Sequence, residues 1–233
     1  MTKPILFNTE MVRAILDGRK TVTRRGVHSP LLYTRDTLPD IVEESKLPRY
    51  WDFGWHGEKV GFATKAPYQP GDILYVRETY FKYAGEYVYK ASAAQPEIWK
   101  GMWHPSIHMP REAARIWLRV TDVRVERLQT SFFEPICPIF AVQAEGIDIG
   151  DTCWECIENY GEPCCVDTVD EDGSDLYGGE CGELDQSRGE FSDLWDRTIK
   201  PADRERYGWA ANPWVWVIAV ERCEKPEEVR LDR

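Results

Sequence analysis

The segment from Arg115 to Leu128, RIWLRVTDVRVERL, alternates apolar and polar residues along its whole length and predicts a long strand. YQPGDILYVRETYF (Tyr68–Phe81) reads as a turn at Pro70-Gly71 followed by a strand, with Ile73, Tyr75 and Arg77 on one side and Leu74, Val76 and Glu78 on the other. EYVYKAS (Glu86–Ser92) and NPWVWVIAVERC (Asn212–Cys223) predict two further strands, the second closing the chain's ordered pattern.

The pattern changes at the N-terminus. Ile5 to Phe7 is a short apolar strand. Asn8 or Thr9 can cap a helix that carries Met11, Val12, Ala14, Ile15 and Leu16 and ends at Gly18. KTVTRR (Lys20–Arg25) then alternates again, placing Lys20, Val22 and Arg24 on one strand face and Thr21, Thr23 and Arg25 on the other. EPICPIFAVQAEGI predicts a short helix after Pro138, ended by Gly146. GEFSDLWDRTI (Gly189–Ile199) predicts a helix with Phe191, Leu194, Trp195 and Ile199 on one face.

From Val27 to Lys65 the chain is rich in Pro, Gly and aromatics without a period, an excursion holding one hairpin around YWDFGWHGEKVGFAT. Many strands, few helices and no βα alternation argue against a Rossmann-like sheet and predict an α+β protein: a small, mostly β barrel with helices packed outside. The 233 residues suit a single domain with loop insertions, about 27–65 and about 148–188.

Charge divides the chain. The formal net charge is −11, yet Glu145 to Asp196 holds seventeen acids and one base, Arg188, while the rest holds twenty-eight bases and twenty-three acids. An acidic segment is attached to a mildly basic body. Its two readings are a solvated surface excursion and a flap that mimics or repels nucleic acid beside a basic cleft. No apolar run is long enough for a membrane helix, and MTKPILFNTE lacks the pattern of a secretory signal. The expectation is a cytoplasmic protein that does not bind membranes.

Five of the seven cysteines, Cys153, Cys156, Cys164, Cys165 and Cys181, fall inside the acidic segment. In a cytoplasmic chain such density suggests either one structural zinc, with the CWEC knuckle supplying two thiolates, or free thiols. Cys137 and Cys223 stand alone. His104 and His108 have i, i+4 spacing, but Pro105 and Pro110 argue against a helical metal pair. With Trp103 and Arg111 they fit better a loop that shapes a base pocket.

The densest candidate chemistry is Gly18 to Arg25, GRKTVTRR: a lysine among hydroxyls and further cations, the setting in which an ammonium loses its proton more readily. Its bland alternative is a solvated basic strand.

DGRKTVTRR, YQPGDILYVRETY, AVQAEGI and NPWVWVIAVERC, in that order, resemble the ASCH family, whose fold is PUA-like. WHPSIHMPREAARIWLRVTDVRVERLQ further resembles the larger ASCH proteins of bacterial viruses and prophages, often labelled morphogenetic. The likeness covers about two-thirds of the chain and leaves out most of both insertions. It implies a PUA-like barrel that binds RNA, other nucleic acid or a modified nucleoside, in a host cytoplasm if virus-encoded.

Small ASCH enzymes hydrolyse N4-acetylcytidine with a lysine base, a threonine nucleophile and a glutamate proton donor. Matched residue by residue, these roles fall on Lys20, Thr23 and Glu145. Ligand contacts are then expected from Arg19, Thr21, Arg24, Arg25, Arg77, Glu78, His108 and Trp214. Arg24 departs from the family, standing where its signature strand has an apolar residue. The alternatives are a binding module without turnover, a ribonuclease, and a virion structural role.

If zinc is bound by the cysteine cluster, elemental analysis of purified protein will give about one equivalent per chain. Metal-free protein with five titratable thiols in that stretch would remove zinc from consideration.

Overall fold

The computed structural model describes residues 2–29, 39, 41–44, 50–55, 62–130, 142–147 and 182–227. The cysteines at 137, 153, 156, 164, 165 and 181 lie outside them, so the zinc expectation falls on residues that are not described.

A five-stranded sheet forms the centre. Its strands are β1 (Thr2–Leu6), β2 (Val22–Gly26), β6 (Ile73–Arg77), β9 (Trp117–Arg127) and β10 (Trp214–Cys223), in spatial order β1-β6-β9-β10-β2. β1 runs parallel to β6, and the other three pairings are antiparallel. β9 and β10 lie side by side within the sheet: β10 is apolar on both faces from Trp214 to Val220, as a strand covered on both sides requires, whereas β9 keeps Arg119, Thr121 and Asp122 exposed. A bulge between Ala219 and Val220 shifts the β9–β10 register.

The sheet is open. β1 and β2 are its two edges, linked by a side chain: the Arg25 guanidinium donates to the Leu6 carbonyl at 2.9 Å. The architecture is therefore mixed α+β with a mostly sheet core, and the expected barrel closure by a continuous ladder is absent among the described strands.

The excursion after Val27 contains more than one hairpin. β4 (Tyr50–Gly54) and β5 (Phe62–Lys65) pair as expected, and β3 (Ile41–Glu44) adds a third antiparallel strand. Short polar strands such as IVEE give little periodic signal, which is why sequence reading passes over β3. β7 (Tyr80–Tyr83) and β8 (Glu86–Tyr89) form a separate hairpin.

Each face of the central sheet has its own core. On one face Trp216, Ile218 and Val220 of β10 pack with Leu74, Val76, Leu118 and Val120, and with Val12 and Ile15 of helix α1 (Thr9–Leu16). Phe53 from the three-stranded sheet joins this core at 1% exposure. It stacks on Phe62, with ring centroids 5.3 Å apart, and meets Trp214 edge-on at 6.1 Å. On the other face Val215 and Val217 pack with Leu128, Val142, Phe191 and Trp195.

Phe191 and Trp195 belong to helix α2 (Gly182–Thr198), which begins seven positions before the predicted Gly189. The added stretch, GELDQSR, lacks the apolar period that marks Phe191 to Ile199, which is why the sequence pattern starts the helix late. α3 (Arg204–Tyr207) follows and leads into β10. No helix among the described residues is long and apolar enough to cross a membrane.

Because Phe53 ties the small sheet into the main core, Phe53→Ala is expected to lower unfolding stability by about 3–5 kcal/mol within one cooperative transition. A variant with unchanged denaturant midpoint would show that the small sheet adds nothing to the fold.

Candidate functional site

Helix α1 starts with Asn8, whose side chain accepts from the Met11 amide at 2.8 Å. It ends at Gly18, in the left-handed region at φ 79°. The chain then turns back on the helix, with the Arg19 and Lys20 amides donating to the Ala14 carbonyl at 2.9 and 3.1 Å. Thr21 continues the sheet. Its carbonyl accepts from the Val220 amide, and its own amide donates to the Ala144 carbonyl at 3.0 Å. That last bond ties the helical turn at 142–144 to the start of β2 and brings Glu145 over Lys20.

Lys20 and Glu145 are 125 positions apart and meet in the interior, at 1% and 3% side-chain exposure. The Lys20 ammonium has three acceptors: Glu145 Oε2 at 3.0 Å, the Glu145 carbonyl at 2.7 Å and the Val22 carbonyl at 2.7 Å. Arg24, equally buried, donates to Glu145 Oε1 at 2.6 Å. One carboxylate is thus held by two cations, one on each oxygen. The Lys20 ammonium lies 5.6 Å from the centre of the Phe7 ring, and the Arg25 guanidinium lies 5.6 Å from the same ring.

Gly146 makes this approach possible. Its φ is 89°, and a Cβ there would lie 2.8 Å from Ala14 Cβ and 3.1 Å from Lys20 Cβ. The short helix ended by glycine was legible in AEGI. That the glycine must also admit α1 and Lys20 is a tertiary requirement with no local signal.

Burial dominates the protonation of Lys20 and lowers its ammonium below the ordinary lysine value. Glu145 offsets part of this, and Arg25 and Arg24 add to the lowering. For Glu145 burial alone acts upward, but Lys20 and Arg24 outweigh it and hold the carboxyl below the ordinary carboxylate range.

Thr23 is buried on β2 beside this group. With Met11, Arg24, Glu145, Phe191 and Trp195 it lines a small cavity of about 40 Å³. A larger cleft of about 430 Å³ opens on the other side of Glu145, between α1, Gly146 and α2. Its volume lies within the range of small-ligand sites. Arg19 borders it and donates to the Gly146 carbonyl at 3.0 Å.

Of the expected catalytic residues, Lys20 and Glu145 are in direct contact, and Thr23 shares a cavity wall with Glu145. The expected ligand contacts divide. Arg24 and Arg19 are at the site, Arg24 as a direct partner of Glu145. Arg25, exposed at the sheet edge, borders the small cavity beside Thr23. Thr21 is exposed and contributes through its backbone.

Arg77, Glu78 and His108 gather elsewhere, around Met109. Arg77 donates to the Met109 carbonyl at 2.8 Å and also to that of Ile107, and the Glu78 amide contacts Met109 Sδ at 3.1 Å. Glu78 is 1% exposed and takes a two-point contact from Arg115 at 2.8 and 2.9 Å, not from its neighbour Arg77. Arg115 in turn lies 4.1 Å from the centre of the Tyr89 ring. The His108 carbonyl accepts from the Tyr80 hydroxyl at 3.1 Å. Trp214 belongs to the contact between the two sheets, donating to the Pro39 carbonyl at 2.9 Å. His104 pairs by its backbone with Tyr80. Among the described residues no group of three His, Cys, Asp or Glu could hold a metal ion.

Comparison of the chain with protein-family models, with curated proteins and with solved structures gave no match.

The Glu145 carboxyl has an acid signature. The unfolded chain takes up its proton near 4.5, whereas the folded chain resists until a lower pH. The stability Glu145 contributes is therefore full above that value and is lost as pH falls through the folded one. Urea midpoints of wild type are expected to drop across this window, and Glu145→Gln should flatten the drop. An identical acid limb in both proteins would place the titration on other carboxylates.

Proposed function

We propose that this chain is an ASCH-type protein of PUA-like fold that binds a modified nucleoside, free or within RNA, and removes an N-acyl group from a cytidine-type base. One observation carries this reading: the lysine and glutamate that the family resemblance pairs, far apart in sequence, share a buried contact at the edge of a ligand-sized cleft. An open sheet whose edges meet through Arg25 and Leu6 is compatible with a barrel-like curl.

In this reading Lys20 accepts the Thr23 hydroxyl proton as Thr23 Oγ1 attacks the acyl carbon. The C–N bond breaks as the departing base nitrogen is protonated, leaving an acyl-threonine that water hydrolyses. Burial lowers the Lys20 ammonium, the direction that a lysine acting as a base requires. Arg19 and Arg25 stand where phosphate or oxyanion charge can be met.

A second reading, a binding module without turnover, is favoured by a different observation. All three ammonium protons of Lys20 have acceptors in the resting site, so the lysine is held as a structural cation.

Mass-spectrometric turnover on a panel of acylated nucleosides, free and in RNA and DNA, separates the two. Wild type is expected to release the free base or nucleoside, and Lys20→Ala to lose at least about a hundredfold in rate while keeping its far-ultraviolet dichroism. No product from any substrate, with retained binding on filters, would establish the binding module instead.

A further inference from the structure

Arg24 is the residue of this site that the resemblance does not explain. It reaches Glu145 Oε1 at 2.6 Å from the strand face shared with Val22, and its guanidinium lies 6.0 Å from the centre of the Phe191 ring. Lys20 occupies the other oxygen, Oε2. We propose that Arg24 is a positioning residue that fixes Glu145 as a permanent carboxylate, leaving Lys20 as the single proton carrier of the site. This rests on the hydrolytic reading above and changes the part Glu145 plays in it.

The geometry gives the reason. When Lys20 releases a proton it keeps two N–H donors, enough for the carbonyls of Val22 and Glu145. It then lets go of Oε2, and Glu145 remains a buried anion. Without Arg24 that anion would lose its only remaining cation among these three residues, and the lysine would be held in its ammonium form. With Arg24 on Oε1 the charge stays paired through the whole cycle. Like charge from Arg24 also helps lower the Lys20 ammonium.

The proton balance then needs no glutamic acid. The Thr23 hydroxyl proton passes to Lys20 Nζ as the Oγ1–C bond forms. The same proton passes from Nζ to the departing nitrogen as the C–N bond breaks. A water molecule attacks the acyl-threonine, gives one proton to Nζ and keeps its oxygen on the released acid, and Nζ returns that proton to Thr23 Oγ1.

Other charged groups face the cluster. Arg25 lies on β2, and Arg19 is held on the Gly146 carbonyl. Glu10 and Arg13 of α1 and Glu190, Asp193 and Arg197 of α2 border the larger cleft. They are spread over both signs, so removal of Arg24 is the larger change at Glu145.

The test is a nuclear magnetic resonance titration of the full chain labelled at lysine Cε and glutamate Cδ, assigned with Lys20→Met and Glu145→Gln. In wild type Glu145 should remain a carboxylate from neutral pH down into the acid range. Arg24→Met should raise the Lys20 midpoint by about one pH unit or more, and the Glu145 midpoint with it. Arg24→Lys, which keeps the charge, should restore both. Should Arg24→Met fail to fold, Arg24→Gln, which keeps a donor without the charge, replaces it with the same expectation.

On an acylated nucleoside that wild type turns over, the basic group of the rate profile should follow Lys20 upward in the variant. A Lys20 midpoint unmoved by loss of Arg24 overturns the proposal, as does a wild-type Glu145 that titrates near neutral pH. If no substrate is turned over, the hydrolytic reading fails, while the titration still decides whether Arg24 sets the proton arrangement.

Discussion

A carboxylate with almost no exposed surface must find positive charge, and Glu145 finds it twice. Removing an ion of this size from water is unfavourable by several kcal/mol even after the surroundings relax. Both oxygens of Glu145 are therefore engaged, by Lys20 and by Arg24. Neither cation can reach the carboxylate unless the segment carrying it lies directly against the start of β2. The Thr21–Ala144 backbone bond, the Arg19–Gly146 contact and the missing side chain at Gly146 all serve that approach. α1 is held in the same knot, because the Ala14 carbonyl takes the amides of Arg19 and Lys20 and the Ala14 methyl lies beneath Gly146.

The second buried carboxylate, Glu78, is answered differently. A single guanidinium, Arg115, covers both of its oxygens in a planar fork. Arg115 is anchored in turn by Ser92 and by the Tyr89 ring. That pair joins the end of β6, the start of β9 and the stretch after β8. It uses its hydrogen-bonding capacity on itself, whereas the Glu145 group leaves a threonine and a ligand-sized cleft beside it. The contrast separates a carboxylate that staples the fold from one set at the edge of a cavity.

Much of this was legible along the chain. Alternation located β6 and β9, and the unbroken apolar run WVWVIAV marked β10, the pattern of a strand covered on both faces. The Asn8 cap and Gly18 bounded α1. GRKTVTRR and AEGI marked both halves of the site, and the common face of Val22 and Arg24 followed from strand periodicity. Pairing was not legible. Nothing near Glu78 names Arg115 as its partner, and the adjacent Arg77 is the more obvious choice until the turn around Met109 takes it away. Trp214 has the composition of a cleft residue but spends its indole N–H on Pro39, across a sheet contact no local pattern encodes. The role of Arg24 was hidden for the same reason: a basic residue on an edge strand usually points to water, and only the return of the chain at Glu145 buries it.

Ile147 and α2 border the same cleft, one at the end of the segment that carries Glu145 and the other at the start of the return to β10. The first helix adds Asn8, Glu10, Met11 and Arg13 to that wall, so the cleft is lined from near the start, the middle and near the end of the described chain. A wall assembled from such distant parts exists only in the folded chain, so whatever occupies the cleft binds that state alone and shifts the folding equilibrium toward it by mass action.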